Sequence, residues 1–383
     1  MNKKKIYKLP PISLYIHIPW CIKKCPYCDF HSYKKSKKIF EKKYIKNLFQ
    51  DFKNDKKKIS KRKILSVFIG GGTPSLLKLS SIKYFIKKIK KKIIKSKKTE
   101  ITIEINPDTI NSNQLIKYYN FGINRTSIGV QTLNNNLLKK IERTHNKKKT
   151  IKLIKSTNKI KNRNLNIDII YGLPEQSIQD SLNDLKIIIN FKPEHISWYL
   201  LDIEPNTPFY TKNIKLPSLK KTRKMQKLGK ELLIKSGYQQ YEISSFARKK
   251  KYRCIHNLNY WNFGDYIGIG CGAHGKITKK NKDIVRTIKT KQDSQYIKKK
   301  YIQKKYIVSK KDIPFEFFLN KFRLLKPILH QDFENTTNIK KRKIKKKISI
   351  AEKHGFLQTK KKSWIITKHG KKKLNSLLSI FLK

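Results

Sequence analysis

The chain has 383 residues, and its 92 lysines and arginines outnumber its 25 aspartates and glutamates to give a formal net charge of +67 at pH 7. An excess of positive charge is common in proteins that bind nucleic acid or anionic membranes, where the basic residues are gathered into one footprint. In this chain the lysines are instead spread through the connecting segments of the whole sequence. The composition therefore predicts no specific nucleic-acid site.

The first residues are basic but lack the apolar run and the small-residue cleavage site of a secretory signal. No apolar stretch approaches the ~18 residues that a membrane-spanning helix requires. We therefore expect a cytoplasmic protein with no transmembrane segment. In that reducing compartment cysteine thiolates persist and can hold a metal.

The first predicted strand leads into a loop with three cysteines, Cys21, Cys25 and Cys28, which are spaced C-x3-C-x2-C. Iron–sulfur cubanes are normally held by four thiolates, so a compact loop that offers three leaves one iron open to another ligand. A structural zinc site with four cysteine and histidine ligands is the alternative. His17 or His31 is near enough in sequence to complete it, but the unequal spacing favours the cluster.

Short apolar runs alternate with amphipathic segments along the first 200 residues, beginning with Phe40, Tyr44, Leu48 and Phe52 at a helical period. Strands that alternate with helices form a parallel sheet. Six such units are too few for a complete eight-unit barrel. We therefore expect an α/β fold with a partial (β/α)6 barrel over residues 1–240. The predicted strands lie at residues 13–18, 64–69, 101–105, 126–130, 166–170 and 196–202.

The residues that could take part in catalysis or ligand binding lie where these strands end, which is where β/α barrels carry their active sites. A Gly-Gly-Gly-Thr turn at residues 70–73 follows the second strand, and its backbone can approach a ligand closely and offer N–H donors. Gln131 follows the fourth strand. Glu104 and Asp168 lie inside apolar strands, where a carboxylate without a partner is expensive. We expect these groups to meet the cysteine loop at one rim.

The pattern of predicted helices and strands changes at about residue 298, and residues 298–383 are expected to form a small winged-helix-like domain. Such domains often bind DNA, but no base-reading helix can be identified, so we expect a packing module. The predicted helices lie at residues 315–325, 350–356 and 374–382, and a hairpin strand is predicted at 364–367.

Five segments of the chain resemble the radical S-adenosylmethionine superfamily, and within it the branch of the oxygen-independent coproporphyrinogen dehydrogenases. The resemblance runs in order over roughly residues 7–290. The five segments that carry it are, in chain order, SLYIHIPWCIKKCPYCDF, FIGGGTPSLL, EINPDT, SIGVQTLNNNLLKKIERTH and NIDIIYGLP. The resemblance implies a radical-SAM barrel in which Cys21, Cys25 and Cys28 hold a [4Fe-4S] cluster and S-adenosylmethionine binds the open iron. The residues that it implies around the cluster and this cofactor are Tyr15, Tyr27, Gly71, Gly72, Thr73, Glu104, Gln131, Arg143 and Asp168.

Two departures separate this chain from the dehydrogenases, which carry a further cysteine two residues after the third and a longer N-terminal segment. The position of that cysteine is Phe30, and Cys21 is reached almost immediately. Both departures favour the HemW-type proteins, paralogues thought to bind haem and deliver it to acceptor proteins.

A glycine- and aromatic-rich segment over residues 241–297 contains an H-N-x-x-Y-W pattern that resembles the haem-associated motif of the HemW-type proteins. Because haem iron takes an axial His, Cys, Met or Tyr, His256 is the candidate ligand, with Tyr260 and Trp261 against the macrocycle. Cys254 and His274 are rival ligands.

The resemblance thus implies a haem chaperone whose cofactors are a [4Fe-4S] cluster, S-adenosylmethionine and haem and whose partner is a haem-accepting protein. The competing hypothesis is a coproporphyrinogen III dehydrogenase that removes propionate carboxyl groups by radical chemistry, and Phe30 argues against that activity. Radical modification of RNA is a third hypothesis, which only the charge supports. Whether the protein is an enzyme, and whether it forms a homodimer, stays open at this point.

Overall fold

The structure is a computed structural model that describes residues 9–35, 41–59, 62–92, 96 and 98–382. Phe40, at the start of the first predicted helical pattern, lies outside the described residues. In the described part of the chain no helix has the length and apolar composition needed to cross a membrane.

The first half of the chain alternates strands with helices, and each of the six predicted strands corresponds to one of its longer strands. The strands are β1 (Ile12–Ile18), β2 (Trp20–Cys21), β3 (Tyr33–Lys34), β4 (Ile64–Gly71), β5 (Glu100–Ile105), β6 (Arg125–Gln131), β7 (Leu165–Tyr171) and β8 (His195–Leu200). The helices are α1 (Glu41–Lys56), α2 (Leu79–Lys92), α3 (Ser112–Phe121), α4 (Asn135–Lys140), α5 (Lys147–Ser156) and α6 (Ile178–Asn190).

The second half adds strands that the sequence patterns do not predict, together with a C-terminal group of helices. The further strands of the main sheet are β9 (Gln239–Gln240), β10 (Ser245–Ala247), β11 (Asp265–Ile269), β12 (His274–Thr278), β13 (Ile284–Lys289) and β14 (Ile302–Ile307). The helices between them are α7 (Pro208–Thr211), α8 (Leu219–Lys235), α9 (Ile255–Trp261) and α10 (Asp293–Ile297).

The longer strands of the first half run parallel in the order β1, β4, β5, β6, β7, β8. β11 pairs in parallel with the other side of β1, and β12 to β14 continue from it in antiparallel fashion. β10 and β9 extend the opposite end beyond β8. Among the described residues the sheet has twelve strands and stays open, with β14 and β9 at its edges, so the predicted α/β class and partial barrel are confirmed.

The alternation of side chains along β7 explains how one face of the curved sheet packs in the apolar core while the other face is polar. Ile167 and Ile169 are 0% and 1% exposed and belong to the main apolar core. Asn166 and Asp168 point to the opposite face, because side chains alternate along a strand. The polar residues of the strands are therefore directed into the interior of the curved sheet.

A buried cluster of charged residues, Asp51, Asp55 and Lys289, connects α1 to the second half of the sheet. The Lys289 ammonium donates to the carboxylates of Asp51 and Asp55, and Tyr296 Oη donates to Asp51 Oδ2 at 2.8 Å. Gly270 N also donates to Tyr296 Oη at 3.0 Å. Removing one partner of such a buried pair lowers the stability of the fold by about 3–5 kcal/mol. Because Gly270 is bonded to Tyr296 and Tyr296 to Asp51 of α1, the cluster holds α1 against the turn between β11 and β12.

The C-terminal elements form a second apolar core around Phe317, Phe318, Trp364 and Phe381, as expected for the winged-helix-like domain. The helix predicted at 350–356 begins earlier and ends before Gly355, whose φ of 66° stops it. The elements are α11 (Ile313–Lys321), β15 (Ile328–Leu329), α12 (His330–Thr337), α13 (Lys345–Lys353), β16 (Leu357–Lys360), β17 (Ser363–Ile366), α14 (Lys368–Lys372) and α15 (Leu374–Leu382).

Candidate functional site: two adjoining cavities in the barrel

The cysteine loop leaves β1 and is held by the glycine turn that follows β4. Gly72 N donates to Ile18 O at 2.8 Å, and Thr73 N donates to Trp20 O at 2.7 Å. A Cβ on Gly72 would lie 2.7 Å from Trp20 O and 3.0 Å from Cys21 Sγ. Only glycine permits the turn to approach the loop this closely.

Gly71 connects the same turn to two functional side chains. Its φ is 111°, in the left-handed region that favours glycine, and a Cβ there would lie 2.6 Å from the ring of His17. Its N–H donates to Glu104 Oε2 at 3.1 Å. The backbone of the glycine turn therefore holds the cysteine loop and Glu104, whereas its predicted role as a donor to a ligand stays a prediction.

The three cysteines of the loop line one cavity of about 400 Å³. Cys21 and Cys25 are buried and Cys28 is half-buried. Burial raises the pKa of the Cys28 thiol to about 11, so its thiolate form needs a nearby positive charge. Arg143 Nη1 donates to Cys25 Sγ at 3.6 Å.

The cysteine cavity also gathers most of the residues predicted around S-adenosylmethionine. They are Tyr27, Gly71, Gly72, Thr73, Glu104, Gln131, Arg143 and Asp168. The exception is Tyr15, which lies in an adjoining cavity and donates from its hydroxyl to His17 Nδ1 at 3.0 Å.

Glu104 and Asp168 both line the cysteine cavity, and neither forms a salt bridge within the part of the chain that the structure describes. Burial, followed by the nearby charge of Asp168, raises the pKa of Glu104 to about 8. Burial also raises the pKa of Asp168, although Ser127 Oγ and Asn166 Nδ2 donate to it at 2.7 and 2.9 Å. An added cationic or hydroxyl-bearing ligand would stabilise both carboxylates.

Arg143 and Gln131 are held at the same cavity by backbone geometry. Arg143 Nη2 donates to Gly129 O at 3.1 Å, whereas its buried Nε has no hydrogen-bond partner among the described groups.

Gln131 has a φ of 66° and lies at a register shift between β6 and β7. A bulge with strained backbone at a strand end is typical of a binding site.

These observations fit the cofactors that the family resemblance implies. S-adenosylmethionine carries an ammonium, a sulfonium, a carboxylate and a ribose diol. The cavity offers carboxylates, Glu104 and Asp168 among them, and an arginine with an N–H that has no partner among the described groups. Three thiols in a compact loop suit a [4Fe-4S] cluster that keeps one iron open.

The two histidines considered as zinc ligands are bonded elsewhere. His17 Nε2 donates to His31 O at 2.7 Å, and His31 Nε2 donates to Lys291 O at 2.7 Å. Neither ring lines the cysteine cavity. Within the described ranges, no three His, Cys, Asp or Glu side chains are gathered as ligands of a single metal ion; in iron–sulfur clusters the thiolates are distributed over several irons.

A second cavity of about 640 Å³ adjoins the first. Its wall is mainly aromatic, and Arg125 and Lys291 supply two cations. The residues that border both cavities are Asp29, Phe30, Gly71, Glu104, Ser127, Asp168 and Tyr199. The second cavity therefore shares three carboxylates, Asp29, Glu104 and Asp168, with the cysteine cavity.

The predicted haem residues His256, Tyr260 and Trp261 all line the second cavity. His256 is 1% exposed, and both of its ring nitrogens are bonded. Its Nδ1 lies 2.9 Å from Ser66 Oγ, and its Nε2 lies 2.8 Å from Tyr260 Oη. Burial lowers the pKa of His256 to about 3, so the ring is neutral at physiological pH.

The rival ligand Cys254 occupies a different position. It is fully buried at the N-terminus of α9, with its Sγ 3.7 Å from Glu100 Oε1, and it lines neither cavity. Glu100 also accepts from Ile255 N and His256 N, both at 3.1 Å. This carboxylate therefore fixes the start of the helix that carries the H-N-x-x-Y-W pattern.

Several cavity residues are absent from the sequence prediction. Arg125 is 2% exposed at the start of β6, and its Nε has no partner among the described groups. Ser127 bonds to Asp168 from the neighbouring strand β6, and Asn166 bonds to it from two positions earlier on β7 itself. Polar residues at alternate positions of strands are the signal that could have identified Ser127 and Asn166.

Comparisons with known proteins agree with this geometry. Residues 15–186 match the family model "Radical SAM superfamily", and residues 308–371 match "HemN C-terminal domain". The chain is 22% identical to the solved structure of coproporphyrinogen III oxidase (HemN) from Escherichia coli, with a TM-score of 0.83 over 98% of this chain and 91% of that one. At this identity the likeness establishes the fold alone.

Similarity in sequence extends over the full length of curated relatives called "Heme chaperone HemW". Identity is 56% with the protein of Buchnera aphidicola subsp. Schizaphis graminum, over 98% of this chain and 100% of the relative. It is 44% for Haemophilus influenzae and 42% for Escherichia coli, in both cases over 98% of this chain and 99% of the relative. The chain therefore belongs to the HemW family of the radical S-adenosylmethionine superfamily.

Proposed function

We propose that the protein is a cytoplasmic haem chaperone, which binds haem in the second cavity and transfers it to an acceptor protein. The observation that carries this proposal is the aromatic cavity of about 640 Å³, directly beside the cysteine cavity. Its volume is within the range of cofactor pockets. The name carried by the full-length relatives supports the same function.

The first cavity is the proposed site of the cluster and S-adenosylmethionine. Cys21, Cys25 and Cys28 would hold the cluster, and Glu104 and Asp168 would bind the amino and ribose groups of the cofactor. When bound, the cluster supplies an electron-transfer centre and S-adenosylmethionine a source of radical chemistry. The proposed work of the carboxylates is to orient the cofactor against the cysteine loop.

The second cavity offers what a porphyrin requires. The Phe68 ring lies 6.3 Å from that of Tyr15 and 4.9 Å from that of His256, which gives the macrocycle flat apolar partners. Arg125 and Lys291 are available to the propionates as charge-assisted donors.

A coproporphyrinogen dehydrogenase is the second candidate, because the shared wall would also bring a porphyrinogen propionate to the cofactor. The resemblance places the additional cysteine of the dehydrogenases at Phe30, whose side chain borders both cavities and is 57% exposed. An aromatic ring at this position offers no thiol to a reaction. The chaperone is therefore the better supported function. The haem acceptor and a homodimeric assembly stay predictions.

The function is tested by assaying the anaerobically reconstituted protein for haem and coproporphyrinogen in parallel. We expect saturable haem binding, transfer of the haem to a haem-free acceptor, and no conversion of coproporphyrinogen in the presence of S-adenosylmethionine and reductant. Conversion to protoporphyrinogen by a protein that binds no haem would establish the dehydrogenase instead.

The cluster assignment is tested by Cys25→Ser, which should abolish the visible absorbance and the bound iron and sulfide after reconstitution, because serine does not replace the thiolate. Cys254→Ser and Cys271→Ser are the matched controls, since both cysteines are buried outside the cysteine cavity. Zinc without iron or sulfide in the anaerobically purified protein would contradict the assignment.

The role of Glu104 is tested by calorimetric titration of S-adenosylmethionine into reconstituted Glu104→Gln. Loss of one charged hydrogen-bond partner costs about 1.5–3 kcal/mol, so affinity should fall roughly tenfold to a hundredfold. Glu231→Gln, an exposed position on α8, should leave affinity unchanged. Equal affinities in both variants would remove Glu104 from the site.

A further inference from the structure

The described residues place four histidines around the second cavity, and three of them are already engaged by the protein. His17 and His256 have both ring nitrogens hydrogen-bonded. His31 donates from Nε2 to Lys291 O. A ring nitrogen must offer a free lone pair to bind haem iron, so His17 and His256 would first have to lose a bond. His31 keeps Nδ1 without a partner among the described residues, but its ring is held in place by the bond from Nε2 to Lys291 O.

His274 differs from the other three histidines because neither of its ring nitrogens is hydrogen-bonded among the described residues. It lines the cavity at the first position of β12, its side chain is exposed, and its ring nitrogens have no hydrogen-bond partner among the residues that the structure describes. It therefore presents a nitrogen to the cavity without any loss of protein contacts.

The backbone before His274 is held firmly. Gly270 and Gly272 have φ values of 100° and 71°, and a Cβ on Gly272 would lie 2.3 Å from the ring of His31. On the neighbouring strand, a Cβ on Gly268 would lie 2.0 Å from His274 O. The glycines of the turn therefore allow its backbone to pack directly against His31 at the end of the cysteine loop. This contact fixes the position of the His274 Cα at the cavity.

We propose that His274 supplies the axial nitrogen to the iron of haem bound in the second cavity, an inference that rests on the proposed haem-chaperone function. The neutral imidazole donates its lone pair to the iron, and no bond of the protein is broken. His256 is then a positioning residue, which holds Tyr260 in the wall through their hydrogen bond.

The bonding around His256 supports this division of roles. Ser66 Oγ donates to Ser13 Oγ at 2.8 Å, so it accepts from His256 Nδ1, and Nε2 accepts from Tyr260. Use of Nε2 as a ligand would leave the buried Tyr260 hydroxyl without its acceptor, and an unsatisfied buried polar group is costly.

The inference is tested by titrating ferric haem into the reconstituted wild type and into His274→Ala, His256→Gln and His354→Ala. Glutamine can still donate to Ser66 and accept from Tyr260, and His354 is an exposed control in the C-terminal domain. The readouts are the Soret band, the resonance Raman coordination markers and the rate of haem loss to a haem-free globin.

We expect a shifted Soret band in His274→Ala, haem loss faster by about tenfold or more, and restoration of the wild-type spectrum by added imidazole. His256→Gln and His354→Ala should keep the wild-type spectrum. A wild-type spectrum in His274→Ala, or a shifted band in His256→Gln alone, would overturn the ligand assignment while leaving the haem chaperone intact. Failure of the wild type to bind haem would overturn the proposed function and this inference together.

Discussion

The close backbone contact between the glycine turn after β4 and the cysteine loop is the constraint on which the site depends. Gly72 and Thr73 donate to the carbonyls of Ile18 and Trp20, and the Gly71 N–H donates to Glu104. A side chain at Gly72 would force the turn away from the loop. One tight turn therefore sets the distance between the cysteines and a buried carboxylate, and both cavities are built around that spacing.

A chain of polar contacts extends from the cysteine cavity to the helix that borders the second cavity. Asp168 accepts from Asn166, whose Oδ1 bonds to His195 Nδ1. His195 Nε2 lies 2.8 Å from Tyr241 Oη, which accepts from Cys254 N at the start of α9. Asn166, His195, Tyr241 and Cys254 are all buried, so these contacts form a continuous bonded path from Asp168 to the start of α9. The two cavities are thus connected by their shared wall and by a common set of hydrogen bonds.

The parallel strands and the residues at their ends could be predicted, because apolar period and chain order determine a β/α sheet almost directly. The three residues of the H-N-x-x-Y-W pattern that were predicted to bind haem line the second cavity, and their role in haem binding stays a prediction. The engagement of His256 by Ser66 arises from a residue 190 positions away, which no local pattern contains. Tyr15 lies at the adjoining cavity for a similar reason, since its neighbours come from β4 and α9. Arg125 was overlooked because one arginine in a chain with 92 basic residues carries no signal until its burial is known. The domain boundaries at residues 240 and 297 stay predictions.

The central claim, that the haem and cluster sites share a wall, is tested most directly by the electron-spin relaxation of the reduced cluster in protein loaded with manganese protoporphyrin, a haem analogue whose metal stays paramagnetic under the reductant that the cluster needs. Zinc protoporphyrin is the diamagnetic control for the same cavity. If the cavities adjoin as the shared residues Glu104 and Asp168 require, the paramagnetic manganese should speed relaxation of the cluster signal, and zinc protoporphyrin should not. Identical relaxation with both ligands, at full occupancy of each, would place haem away from the cluster and contradict the account.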